Sequence, residues 1–325
     1  MSEPVRPKYI LTTAELCRLC GLPPGAPNRF FSDGELVKMP GGKTGIPSGM
    51  VRGFLEQRGA DYSFKVLAHI NMRGGVGKTT STISLATRAV QFGFKTCILD
   101  MDSQGSSSLA FNIVPGDDDL IFCDVWDKPS KLVMQSLNRI DDNLYILPSS
   151  LDNSVLDVKL SDPEFQKNAV SGVCGELKAN GFDLVVVDCP PSLGTAVIST
   201  ICAADMIVIP VCSDAFSFKG LEITLEEIFS IRSTFGLVDS EVKVLFTQFD
   251  RRRNISLAAK RKLSRRYKDY LISVFIRKSD KFSKLLEKRE TVFAYTMRGA
   301  ARNDYDGYAR YVLGLNKVLD DRREK

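Results

Sequence analysis

The chain has one histidine and one tryptophan in 325 residues, and its eight cysteines include a single close pair, Cys17-x-x-Cys20. With no second pair and only His69 to help, a zinc site lacks ligands, and the two thiols are expected to pack on a short helix instead. No apolar run approaches the roughly 20 residues that cross a bilayer, which argues against a helical membrane protein. The first ten residues are polar and contain proline, unlike a secretory signal, so a cytoplasmic location is expected. Internal repeats and low-complexity tracts are absent. His69 lies inside an apolar strand-like run and reads as packed rather than catalytic. Cys97, inside another such run, reads as a small apolar side chain. What is present is 44% hydrophobic content, enough to bury a sizeable core in a chain long enough for one large domain and a small one.

Residues 65–80 carry the strongest signal, because an apolar run delivers Arg-Gly-Gly-Val-Gly-Lys-Thr-Thr into a helix-forming segment. Gly74, Gly75 and Gly77 can adopt backbone angles closed to other residues and let amides, those of Val76 and Thr80 included, close around a polyphosphate. The following helix adds its positive dipole end. Lys78 would reach the outer phosphates, and the Thr79 hydroxyl would help hold Mg²⁺. The usual pattern asks for glycine six residues before that lysine, where this chain has Met72. Two further segments end apolar strands in acids: Asp100-Met-Asp102-Ser-Gln-Gly, and Asp188-Cys-Pro-Pro after Phe182–Val187. In parallel α/β sheets ligands sit at the carboxyl ends of strands, so such acids face a nucleotide, and Mg²⁺ is commonly held through one or two carboxylates plus phosphates.

This cation-plus-glycine box resembles the deviant Walker A motif of the ParA/MinD superfamily, and most closely its ParA partition ATPases. The Asp100–Gly105 and Phe182–Gly194 segments resemble the family's other two phosphate-side motifs, with Ser103 at a place usually held by proline. The resemblance runs from about residue 64 to about 317. It implies an α/β, doubly wound, mostly parallel P-loop fold over residues 63–325, with ATP and Mg²⁺ as cofactors. It implies that Asp102 positions the attacking water, that Thr79, Asp188 and Asp102 serve the metal, and that Lys78 clamps the phosphates. Arg73 stands where the family usually has a lysine that reaches the ATP of the other subunit, and arginine keeps the charge on a wider planar fork. Strands are expected at Ala204–Val211 and Val244–Thr247. In the family the stretch matching Phe216–Leu221 carries dimer and partner contacts, and Thr247 and Asp250 are candidate neighbours of the adenine and the dimer interface.

Charge is uneven. Between Arg251 and Arg289 fifteen Lys or Arg face three acids, an excess of twelve that leaves the remainder net acidic against a total of +5. Arg251, Arg252, Arg253, Lys260, Arg261, Arg265 and Arg266 would build a phosphate-attracting field. Non-specific DNA binding is therefore favoured over a merely solvated face. The resemblance implies a homodimer in the ATP state, nucleoid association and a ParB-like adaptor. The alternatives are a positioning ATPase for an assembly such as chemoreceptors or flagella, or an operator-binding regulator. Tyr311, Leu313, Leu315 and Val318 could line an apolar stripe, but Asp320, Asp321 and Glu324 suit core packing of the final helix better than a lipid surface.

Residues 1–62 read as a small helical extension. Thr12–Leu22 is a capped helix ended by glycine, a Gly- and Pro-rich stretch follows to Pro47, and Ser48–Gly59 reads as a second capped helix with Val51, Phe54 and Leu55 on one face. The pattern loosely resembles a MerR-type helix-turn-helix, with a protein-interaction or dimerisation extension as the alternative.

Overall fold

In the computed structural model, residues 8–32, 34–237, 240–287, 290–294 and 299–319 are described. The amino-terminal segment forms β1 (Leu11–Thr12), α1 (Thr13–Cys20), β2 (Val37–Met39), β3 (Lys43–Ile46) and α2 (Ser48–Glu56). Both expected helices form: the Thr12 hydroxyl accepts from the Glu15 amide at 3.2 Å, and Gly21, at φ 64°, closes α1, whereas α2 follows Pro47 without the expected side-chain cap and ends at Glu56. The expectation of a helical extension is corrected by an antiparallel sheet in the order β1-β3-β2, in which β1 precedes α1 and the β2–β3 hairpin lies between the helices. Gly41 and Gly42, at φ 73° and 69°, turn β2 into β3. These strands are too short for an alternating pattern to stand out in the sequence.

Among the described residues the main sheet has eight strands: β4 (Lys65–His69), β5 (Thr96–Asp100), β6 (Asn138–Asp141), β7 (Leu144–Leu147), β8 (Leu184–Asp188), β9 (Met206–Val211), β10 (Glu241–Phe249) and β11 (Leu271–Arg277). Their order is β11-β10-β9-β4-β8-β5-β7-β6, parallel throughout except for the β6–β7 edge pair. The helices of eight residues or more that follow are α3 (Lys78–Gln91), α4 (Pro129–Ser136), α5 (Pro163–Ala179), α6 (Thr195–Ala203), α7 (Ala215–Phe235), α8 (Asn254–Arg266) and α9 (Ala300–Val312).

The strands read as unbroken apolar runs because both faces are buried. Val66, Ala68, Leu99, Val185 and Val187 pack with Val170, Val173 and Leu177 of α5 and Leu263 of α8. Their neighbours Leu67, Ile98, Val186 and Val208 pack on the other face with Leu85, Ala86 and Ala89 of α3 and Tyr308 and Val312 of α9. That second cluster also takes in Leu11, Leu16, Ile46, Val51, Phe54 and Leu55, so the amino-terminal module shares a core with the P-loop side of the sheet. Contact is close: a Cβ on Gly93 would sit 2.7 Å from the Arg52 Cβ and 2.8 Å from the Ser48 carbonyl oxygen. Cys17 and Cys20 are buried on α1, and Leu313 and Leu315 beyond α9 are buried in the core. Asp320, Asp321 and Glu324 lie outside the described residues.

Candidate nucleotide site

β4 ends at His69, and the chain then loops to Gly77, which precedes α3 at φ 99°, while Gly75 has φ 74°. A Cβ at Gly74 or Gly75 would meet nothing within 4 Å, so the loop offers an open cradle of backbone rather than a packed turn. The end of β10 holds it from beneath. The Thr247 hydroxyl donates to the Val76 carbonyl at 2.7 Å, and Gln248 Nε2 donates to the Gly75 carbonyl at 2.7 Å. Gln248 does this from a left-handed backbone, φ 53°, a conformation that costs a non-glycine residue about 1 kcal/mol or more and concentrates at functional sites. Lys78 Nζ donates to the Arg73 carbonyl at 3.0 Å. Burial pushes the ammonium pKa down, and Asp188, Cys189 and Asp102 act against that shift.

Asp100 and Asp188 are register partners at the carboxyl ends of β5 and β8, and both are fully buried. Asp100 Oδ2 accepts from the Ser108 amide at 2.8 Å and its hydroxyl at 2.7 Å. Asp188 Oδ2 accepts from the Ser107 hydroxyl at 2.8 Å, and the Thr79 side chain also hydrogen-bonds Asp188. Among the described residues the Oδ1 atom of each acid has no hydrogen-bond partner. Burial raises both carboxyl groups above the usual range; Asp188 adds to the rise at Asp100, while Ser107, Thr79 and Lys78 oppose it at Asp188. Asp102 is half-buried and accepts from the Gln104 amide at 3.0 Å. Two buried, orphaned carboxylate oxygens beneath a glycine cradle, with a lysine and a threonine hydroxyl beside them, fit a polyphosphate carrying a divalent cation.

A cavity of about 430 Å³ opens here, lined on one side by Gly74, Gly75, Gly77, Lys78, Thr79, Thr80, Asp102 and Thr247. Its other wall is Ile276–Asp280, Phe282 and Tyr305. Nothing in the sequence patterns marked that wall, because Tyr305 is 227 positions from Lys78 and β11 ends in no recognisable motif. Ser107 and Ser108 were also missed, although they lie within six residues of Asp102. Asp250 does not line the cavity and instead accepts from the Arg252 amide at 3.0 Å and its Nε at 3.1 Å. The Arg73 guanidinium is turned onto its own chain, ion-paired with Asp214 and 3.0 Å from the Ser217 hydroxyl. His69 is fully buried between Tyr308 and Thr82, with ring nitrogens 2.7 and 2.9 Å from their hydroxyls, and burial pushes its pKa down to about 3.

The basic segment directly follows β10. α8 buries Ser256, Ala259 and Leu263 and leaves Arg261 and Arg265 exposed, as are Arg251, Arg252 and Arg253 before it. Lys260 lies 4.8 Å over the Phe275 ring, and Arg266 pairs with Glu222 at 3.2 Å. Lys288 and Arg289 lie outside the described residues.

Residues 64–236 match the AAA_31 family, described as an AAA domain. The chromosome-partitioning ATPase Soj of Treponema pallidum is 27% identical over 252 residues, covering 77% of this chain and 97% of Soj. The chain belongs to the ParA family of P-loop ATPases. The cell division protein PomZ of Myxococcus xanthus is 26% identical to this ParA-family chain, over 75% of it and 76% of PomZ. An ATP complex of a McdA variant from Cyanothece superposes with TM-score 0.68 at 19% identity, over 78% of this chain and 97% of that one, a likeness of fold. The amino-terminal module of this ParA-family ATPase lies before the family match. Among the described residues no helix is long and apolar enough to cross a membrane.

Proposed function

We propose that this protein is a partition ATPase that dimerises on ATP, binds DNA without sequence preference in that state, and lets go after slow hydrolysis. The cargo is a plasmid or chromosome origin marked by a ParB-like adaptor, and the work is done in the cytoplasm on the nucleoid. The observation that carries this reading is an exposed cationic helix, α8, with Arg251–Arg253 at its entry, on the strand that supports the P-loop. Bound Mg²⁺ and ATP supply the phosphoryl group and the charge that weakens its outer bond. The chain's own parts do the rest: the Gly74–Thr80 backbone and Lys78 orient the phosphates, and Thr79 and Asp188 hold the metal side. Asp102 orients the water and serves the metal side as well. Arg73 contributes from across the dimer.

The similarity to PomZ favours a second reading, in which the same switch positions a cellular assembly. A third rests on the amino-terminal β2–β3 hairpin, whose exposed Lys38 and Lys43 flank the Gly41-Gly42 turn and could hold an operator.

The decisive experiment titrates labelled random-sequence duplexes with the ATP-bound protein across salt concentrations. Replacing Arg251, Arg265 and Arg266 by alanine should weaken binding equally for unrelated sequences. Each lost phosphate contact should flatten the slope of log affinity against log salt by about one unit. Lys38→Ala with Lys43→Ala should change little. Removal of the module is a poor substitute, since it would uncover the core that Leu16, Phe54 and Leu55 share with α3. Unchanged affinity in the triple variant, with loss in the hairpin variant, refutes the α8 site and favours the operator reading.

A further inference from the structure

Three consecutive residues of α9 tie it to the end of β11 and to two positions on α3. Asp304 accepts from the Arg277 amide at 3.0 Å, its Nε at 2.8 Å and its Nη2 at 2.5 Å, and Arg277 is part of the cavity wall facing the P-loop. Tyr305 lines the same cavity and places its hydroxyl 3.1 Å from Ser81 on α3. Asp306 pairs with Arg88 of α3, whose side chain is 0% exposed. Arg88 also pairs with Glu15 of α1 at 3.0 Å, and Glu15 pairs at 2.8 Å with Arg302, back on α9. Arg302 and Asp306 are one helical turn apart, so the ion pairs Arg302–Glu15–Arg88–Asp306 form a ring whose last link is α9 itself. Arg310 adds a contact to Asp306 at 3.1 Å.

A buried charge stripped of its partner is strongly unfavourable, so α9 cannot turn or slide against α3 without breaking this ring. The depth of α9 fixes where Tyr305 and the Asp304–Arg277 clamp stand across from Lys78. Glu15 is the single amino-terminal member of the ring, and it holds both arginines. We propose that Glu15 is a positioning residue of the nucleotide site: through Arg88 and Arg302 it sets α9, and α9 sets the wall opposite the P-loop, so the amino-terminal module tunes nucleotide affinity. This rests on the reading of the cavity as the ATP site.

The test measures binding of a fluorescent, non-hydrolysable ATP analogue with Mg²⁺ to the full chain, and ATP turnover at saturation. Glu15→Gln and Asp304→Asn should each weaken binding by about 5- to 20-fold, in the range of ordinary couplings between sites, with kcat little changed. Because both act through α9, the double variant should lose less than the product of the two. Glu56→Gln, on the same module but paired with Arg52 at the surface, should bind as wild type. Lys78→Ala should not bind. If Lys78→Ala fails to bind while folded Glu15→Gln matches wild type, this inference is overturned and the site assignment stands. If Lys78→Ala binds normally, the site assignment falls and the inference with it. A measurement on the wild type covers the case in which Glu15→Gln does not fold. Coupling is reciprocal, so the analogue should slow hydrogen exchange of the α1 and β1–β3 amides, and exchange unaffected by nucleotide overturns the proposal.

Discussion

Asp214→Asn probes Arg73 with little collateral change. Asp214 caps α7, with Oδ1 accepting from the Ser217 amide at 3.0 Å, and asparagine caps about as well as aspartate. The substitution therefore keeps the helix start but removes the negative charge that holds the Arg73 guanidinium on its own chain. For Arg73 to reach a second subunit it must leave Asp214 and Ser217, so that pairing opposes dimerisation. Both side chains are more than a third exposed, at 36% and 39%, which puts the ion pair in the surface class of about 0.2 to 1 kcal/mol. A symmetric dimer breaks two such pairs, so their removal should favour the ATP dimer by about 0.4 to 2 kcal/mol, or roughly 2- to 30-fold in the association constant. Sedimentation velocity with a non-hydrolysable ATP analogue at several protein concentrations reads this directly. Arg73→Ala should weaken the dimer far more than it weakens nucleotide binding by the monomer, and Arg73→Lys should restore most of it. If Asp214→Asn dimerises no better than wild type while Arg73→Ala dimerises normally, the trans role of Arg73 is refuted.

Two further outcomes follow from the site and its surroundings. Asp102→Ala should retain ATP binding, lose turnover and accumulate as the ATP dimer; phosphate release at the wild-type rate would remove Asp102 from the role of orienting water. His69 titrates near 3 when folded and about 6.5 when unfolded, so only the unfolded chain gains its proton between these values. Its contribution to stability is intact above pH 6.5 and falls by about 1.4 kcal/mol per pH unit below it, reaching about 2 kcal/mol at pH 5. Urea unfolding of His69→Gln between pH 6.5 and 4.5 should show a shallower acid loss than wild type, and parallel profiles would contradict a buried neutral imidazole.

Much of the phosphate side of the fold could be read from the sequence because its chemistry forces local patterns. A glycine at positive φ before Lys78, and acids at the ends of β5 and β8, leave short, ordered signatures. The opposite wall leaves none: Ile276, Arg277, Phe282 and Tyr305 reach the cavity through tertiary packing of β11 and α9, and none of these residue types announces a ligand. Gln248 hid for a related reason, since a left-handed glutamine is indistinguishable from any other in one dimension. The amino-terminal hairpin was lost in a Gly- and Pro-rich stretch whose strands are only three and four residues long. Asp250 pairs with its neighbour Arg252 outside the cavity lining, a local contact that the motif pattern does not encode.

The Glu15–Arg302 contact joins residues 287 positions apart, and the module's apolar partners on α9 come equally late. On a ribosome adding roughly 5 to 20 residues per second, α1 is made about 15 to 60 s before Arg302, the later of the two arginines that pair with Glu15. Through that interval Leu16, Phe54 and Leu55 of the nascent chain lack their full set of neighbours. An early-made segment is thus completed by a late-made one, so a stop between α3 and α9 leaves the Glu15–Arg88 pair without Arg302 and an apolar face without its α9 neighbours.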